Sequence, residues 1–234
     1  MRGRGVVVAV IDSGWNRNLR DTRVKSGVGI SRGNNAASVV SPNEDADQHG
    51  HGTACGIVIL RIAPAATIVP VRVFDKMLET SATVIEAAIE WSLAQGIRVL
   101  NLSLGTADKR TVPRLYKACH KAAQRGAILV CASAPGRVSY PAAFDNVISV
   151  SIAQRNRAPC GYEVCDQNGV EFTATGVYTL DTGFPQSGSP SRFVGASIAS
   201  ATVSGNTALL VERWPNLTLE TARAKLREQA ISWS

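Results

Sequence analysis

The stretch Val6-Val-Val-Ala-Val-Ile-Asp-Ser-Gly14 decides the fold class. Its six consecutive apolar residues, mostly β-branched, read as a strand buried on both faces, because a half-exposed strand would alternate with polar positions. The run ends on Asp12. A carboxylate at the end of such a strand faces the crevice beyond a parallel sheet. An acid followed closely by glycine is also an ordinary turn signal, so this stretch alone does not specify chemistry.

The same apolar, non-alternating pattern recurs at 67–74, 97–104, 127–131 and 147–152. Helical periodicity lies between these runs. Residues 81–95 place either Val84, Ala88 and Trp91 or Ile85, Ala88, Ile89 and Ser92 on one stripe, with Gly96 as a stop. Residues 113–125 behave in the same way and stop at Gly126. Further helices are expected at 51–60 and 197–214, followed by a last one capped by Thr218. Strands alternating with helices predict an α/β fold with a mostly parallel central sheet flanked by helices. Residues 13–50 and 153–194, rich in Gly, Ser, Asn and Pro, are expected to be loops forming a functional rim. There is no internal repeat or linker, and one domain over 1–234 is the simplest organisation.

No apolar run approaches the roughly 18 residues of a membrane helix. The basic start Met1-Arg-Gly-Arg-Gly5 precedes only six apolar residues, fewer than the about 7–15 of a signal core. The expectation is a cytoplasmic chain with no signal peptide, propeptide or membrane partner. The net charge of +7 raises nucleic acid as a partner. However, the basic residues are scattered, and the densest stretch, 223–227, reads as the wet face of a helix. A basic surface also suits an acidic peptide or protein. Of the five cysteines, Cys55 and Cys131 sit in apolar segments, as reduced core thiols do. Cys160 and Cys165 are close enough in sequence to pair or to supply two metal ligands, which is too few for a zinc site.

Two other segments carry chemistry. In His49-Gly-His-Gly-Thr53, a histidine opens an apolar helix and is placed to act as a base. The two histidines are two residues apart rather than four, so the spacing of helical zinc sites is missing and no metal site is expected. In Gly195-Ala-Ser-Ile-Ala-Ser-Ala-Thr-Val-Ser-Gly205, a serine enters a helix of small residues suited to burial. That serine is either a plain N-cap or a nucleophile whose own N–H, at the positive helix end, stabilises an oxyanion.

Taken together, the order Asp, His, Ser is that of subtilisin. The segments Asp12-Ser-Gly14, His51-Gly-Thr53 and Gly195-Ala-Ser-Ile-Ala-Ser200 each resemble a subtilase motif, and Asn101-Leu-Ser-Leu-Gly105 is similar to the family's substrate-pairing strand. The resemblance covers nearly the whole chain. It implies a subtilisin-like serine endopeptidase with Asp12, His51 and Ser197 as its triad, acting on a peptide or small protein. His49 and His120 are the rivals for the base. The resemblance also implies a substrate strand held along Ser103, Leu104 and Gly105 and along Ala132, Ser133 and Ala134. Ser139 and Ala142 stand where the family has pocket-floor glycines, which predicts a shallow pocket for small or medium side chains. No cofactor is implied for catalysis, and calcium, bound by family loops, has no derivable site here.

The departures are specific. Pro135 stands where the family has the oxyanion asparagine, and proline offers neither an N–H nor a side-chain donor. Ala196 replaces the usual threonine, which leaves the Ser197 N–H as the evident donor. Weakened electrostatic support predicts a slow or narrowly specific peptidase. The short form is similar to subtilases that remove leader segments from modified peptides, including the group that processes the small cross-linked subunit of quinohemoprotein amine dehydrogenase. The alternatives are a general degradative intracellular subtilase and a pseudoprotease serving as a peptide-binding module. The sequence leaves the oligomeric state open.

Overall fold

The computed structural model describes residues 1–33, 38–153, 161–180 and 191–230. In chain order the elements are β1 (Val7–Asp12), β2 (Val28–Arg32), β3 (Ser38–Pro42), α1 (His51–Ile62), β4 (Thr67–Arg72), α2 (Ala82–Ala94), β5 (Val99–Leu102), α3 (Val112–Gln124), β6 (Ile128–Ala132) and β7 (Ile148–Ile152). They continue with β8 (Tyr162–Gln167), β9 (Val170–Ala174), β10 (Val177–Leu180), β11 (Ser191–Val194), α4 (Ala196–Arg213) and α5 (Leu219–Gln229). A nine-stranded sheet runs β3-β2-β4-β1-β5-β6-β7-β9-β8. It is parallel except at its edges, where β2–β3 and β8–β9 are antiparallel hairpins. β10 and β11 form a separate two-stranded ribbon.

Alternation along β1 explains the three layers. Val8 and Val10 enter a core shared with α1, α4 and α5, while Ala9 and Ile11 enter a second core shared with α2 and α3. Asp12 therefore continues the Val8–Val10 face, toward the side that carries α1 and α4. β4 lies on one side of β1 and β5 on the other, so the strand order reverses at β1 and opens a crevice beyond its carboxyl end.

Glycines end α2 and α3. Gly96 and Gly126 take φ of 70° and 75° just past α2 and α3. Thr218 caps α5: its Oγ1 accepts from the Thr221 N–H, and Thr221 Oγ1 accepts in turn from the Thr218 N–H. α4 is the central helix and is buried almost all round. Its small residues permit that: a Cβ on Gly205 would stand 2.8 Å from Ile62 Cβ where α4 meets α1.

The structure corrects two expectations. The segments expected as loops contain six strands, β2, β3 and β8–β11. They escape a hydrophobic-run reading because they lie at the sheet edges or in the ribbon and are only partly buried: Val39 and Val40 on β3 are 48% and 40% exposed. The 223–227 stretch is not uniformly wet either. Arg223 reaches inward, its Nε donating to Glu171 Oε1 (2.6 Å) and its Nη2 to the carbonyls of Asp145 and Val147. Cys165 is a free thiol on β8, and Cys160 lies outside the described residues.

Candidate active site

The site is assembled at the carboxyl end of β1. The Asp12 carboxylate, fully buried, accepts from the Ser13 N–H (2.6 Å) and places both oxygens on His51 Nδ1, at 2.8 and 2.9 Å. The His51 side chain remains 27% exposed, so its far nitrogen is open to the cleft.

Glycines allow α1 to start this close to β1. A Cβ on Gly52 would fall 2.5 Å from the Gly14 carbonyl oxygen, and Gly14 itself, at φ 111°, has no room for one beside the Asp45 carbonyl. The Gly52 N–H donates to Ser13 Oγ (2.9 Å), tying the helix start to the strand end.

Asp47 completes this start. Its Oδ1 accepts from the N–H groups of His49 and Gly50, and its Oδ2 accepts from the Thr53 N–H and hydroxyl. One carboxylate thereby satisfies three backbone N–H groups and a hydroxyl around the helix start, and its charge also suits the positive helix end. Burial disfavours the imidazolium of His51. The charge and hydrogen bond of Asp12 and the charge of Asp47 outweigh it, and the His51 pKa is held above its ordinary 6.5.

Ser197 stands in the first turn of α4, where its hydroxyl donates to the Ser103 carbonyl (3.3 Å). Behind it lies a buried polar network. Asn101 Nδ2 donates to Ser103 Oγ (2.7 Å), Ser204 Oγ donates to Asn101 Oδ1 (2.9 Å), and Ser103 Oγ and Cys55 Sγ both contact the Ser197 carbonyl. Cys55 also joins the two halves of the site: its sulfur lies within 4.8 Å of ligand atoms of Asp12 and His51. Burial, and then the charge of Asp12, push the Cys55 thiol well above its usual range, so it remains a protonated hydrogen-bonding group rather than a metal-ready thiolate. Phe193 on β11 presents its ring edge-on to His51, at 6.0 Å between centroids.

The rival histidines lie elsewhere. His49 directs Nε2 to the Asp75 carbonyl (3.2 Å), and His120 stacks on Tyr116 along α3.

β5 and β6 are paired up to Leu102 and Cys131, beyond which Ser103-Leu-Gly105 and Ala132-Ser-Ala134 continue the two chains. The Ser133 N–H and carbonyl are taken by Val150 and Ser151 of β7, leaving its other edge turned toward the β5 side. Leu104 anchors one wall in the core. The buried Ser139 stands at the foot of Gly105, next to the exchange of hydrogen bonds between Thr106 and Tyr140. Pro135 is exposed and forms a turn with Gly136 at φ 74°, so it faces solvent without a donor. Sequence reading missed Asp47 and Phe193, and saw in Cys55 only a core thiol. An acid four residues ahead of the motif histidine is the signal that would have revealed Asp47.

Known proteins share this arrangement. The pattern described as the subtilase family matches residues 3–232. Subtilisin DY of Bacillus licheniformis is 28% identical over 247 residues, covering 99% of this chain and 85% of its own length. Subtilisin Savinase of Lederbergia lenta is 29% identical over 244 residues, covering 99% and 86%. Among solved structures, a lanthipeptide protease superposes with a TM-score of 0.77 at 25% identity, over 100% of this chain and 82% of that one. Sphericase gives 0.79 at 24% identity, over 97% and 84%. This chain belongs to the subtilase family and is a serine endopeptidase.

Proposed function

We propose that the protein is a processing endopeptidase of restricted specificity, which removes a leader segment from a peptide or small protein in a reducing, cytoplasmic setting. The observation that carries the chemistry is the two-oxygen grip of the buried Asp12 on His51 Nδ1, which commits the other nitrogen to the cleft. Ser197 Oγ, turning its hydroxyl from the Ser103 carbonyl to His51, attacks the scissile carbonyl while His51 Nε2 takes its proton. The tetrahedral oxyanion is met by the Ser197 N–H at the amino end of α4. Collapse breaks the C–N bond, and His51 returns the proton to the leaving amine. Water, deprotonated by His51, then attacks the acyl ester and frees Ser197. Asp12 stays ionised throughout and stabilises the imidazolium. The reaction calls on no cofactor.

The slot between Ser103-Leu-Gly105 and Ala132-Ser-Ala134 receives the substrate as an added strand. Restricted specificity is supported by Ser139 filling space beside Gly105 and by Pro135 removing a donor. Leader removal is supported by the likeness to a lanthipeptide protease. A reducing compartment agrees with the unpaired, buried Cys55, Cys119 and Cys131.

The test pairs active-site labelling with substrate choice. A fluorophosphonate should label the wild type and not Ser197→Ala. Leader-bearing precursors of modified peptides, the quinohemoprotein amine dehydrogenase small subunit among them, should be cut at one site while casein survives. Ready digestion of casein would favour a general degradative enzyme, and absence of labelling would favour a peptide-binding module.

A further inference from the structure

A second groove lies on the outer side of α1, away from the cleft. It offers about 390 Å³ of space between the helix and the loop that follows β1. Ile57 and Leu60 lie on its helix side, three residues apart and therefore on one face, and Trp15 and Leu19 come from the loop. The loop is held firmly. The Trp15 side chain fills the space beside Gly56, where a Cβ would meet its ring at 2.8 Å, and Trp15 Nε1 donates to the Leu19 carbonyl. Short turn hydrogen bonds from Leu19 to Asn16, Asp21 to Leu19 and Val24 to Asp21 fix the rest.

The rim of this apolar floor is cationic. Arg23 is neutralised by Asp21, which accepts from both its Nε and its Nη2. No acidic side chain among the described residues pairs with Arg20 or Arg61. Arg61 is aimed by its guanidinium, which sits 4.7 Å from the centre of the Tyr178 ring. Two uncompensated arginines therefore flank an apolar floor whose accessible part is Leu19 and Ile57, with Trp15 and Leu60 buried beneath it. Arg61 follows His51 by ten residues, roughly 15 Å along the helix. A bound peptide of modest length spans that distance.

We propose that this groove is an exosite for an acidic, apolar segment of the substrate, outside the residues that surround the scissile bond. Acidic side chains would meet Arg20 and Arg61, and leucine-like side chains would cover Leu19 and Ile57. The proposal takes its purpose from the processing reading above, because a narrow cleft with weakened oxyanion support gains selectivity from contacts remote from the cut. Binding itself is measured without catalysis, so the two readings fail separately.

The experiment uses three synthetic peptides of equal length, of alternating Glu and Leu, alternating Lys and Leu, and Glu with Ser. Fluorescence anisotropy on Ser197→Ala should show the Glu/Leu peptide binding at least about tenfold tighter than either of the others, the equivalent of roughly 1.4 kcal/mol. Double charge reversal, R20E/R61E, should invert the preference toward Lys/Leu. Ile57→Ser, at a half-exposed position, should weaken Glu/Leu binding while leaving the charge preference. In the otherwise wild-type enzyme, a cleavable peptide extended by the Glu/Leu segment should show a lower KM than the unextended peptide. R20E/R61E should abolish that gain with kcat on the unextended peptide unchanged. Equal affinity for all three peptides, or charge reversal without effect, would overturn the exosite. Equal binding of Glu/Ser and Glu/Leu would reduce the groove to a nonspecific anion surface and also overturn it. Failure to cleave any peptide would count against the processing reading alone.

Discussion

The hydroxyl of Ser139 occupies the space that a side chain on Gly105 would need, since a Cβ there would stand only 2.1 Å from Ser139 Oγ. Two chain segments far apart in sequence thus meet at the base of the proposed substrate slot, where the small size of both would set its depth. Ser139→Gly should deepen the slot and raise kcat/KM for peptides with an aromatic residue before the cut by about tenfold, the scale of a one-group change in an apolar pocket. A wild-type profile that already favours aromatics at this position would refute the relationship.

In the proposed mechanism Pro135 leaves the oxyanion with one donor, the Ser197 N–H. Loss of the corresponding asparagine costs about 10²–10³ in kcat in subtilisin, the enzyme on which that figure was measured. Pro135→Asn should raise kcat by at least about tenfold with KM little changed, read from initial rates on a short chromogenic peptide. No change in kcat would mean that another group already donates there.

The pH response follows from His51. Its folded pKa lies above 6.5, and catalysis needs the neutral imidazole, so kcat/KM should rise through a limb placed above that value. Asp47→Asn removes one of the charges that favour the imidazolium and should move the limb to lower pH, whereas a purely structural loss would lower the plateau without moving it. Asp12→Asn should cost about 10⁴ in kcat through loss of the tautomer. Stability runs the opposite way. A raised histidine pKa stabilises the fold fully below the unfolded value near 6.5, and that contribution is lost as pH rises through the folded value. Thermal unfolding against pH in Asp12→Asn should show a flatter decline over this window.

Arg223 is a structural cation for a part-buried carboxylate. Burial raises the Glu171 pKa and the Arg223 charge opposes that rise. Arg223→Ala should strand the carboxylate and two carbonyls, costing about 2–3 kcal/mol. That is a fall of roughly 4–12 °C in Tm for a chain of this size. The loss should be smaller at pH 5 than at pH 8, because a protonated Glu171 needs no counter-charge. Arg223→Ala combined with Glu171→Gln should recover part of it.

The central strands and helices were legible because each contributes an uninterrupted apolar run or a regular stripe, as in β1 and α2. The edge hairpins were not: Val39 and Val40 on β3 point to opposite faces and are both exposed, so burial leaves no periodic trace there. Asp12, His51 and Ser197 were legible as local motifs whose chain order has few precedents. Asp47 was hidden because its role depends on a helix start that only the folded backbone defines. Ser139 was legible as a pocket position only through the resemblance, and its crowding of Gly105 emerged only from the geometry.

The placement of Asp12 on the Val8–Val10 face makes catalysis a matter of parity. Insertion or deletion of a single residue within β1 would leave the strand almost as hydrophobic as before and still able to pair with β4 and β5. It would nevertheless turn the carboxylate to the α2–α3 side, out of reach of His51. Insertion of two residues restores the side but lengthens the reach. Natural variation in this strand should therefore be free in side-chain size and rigid in count.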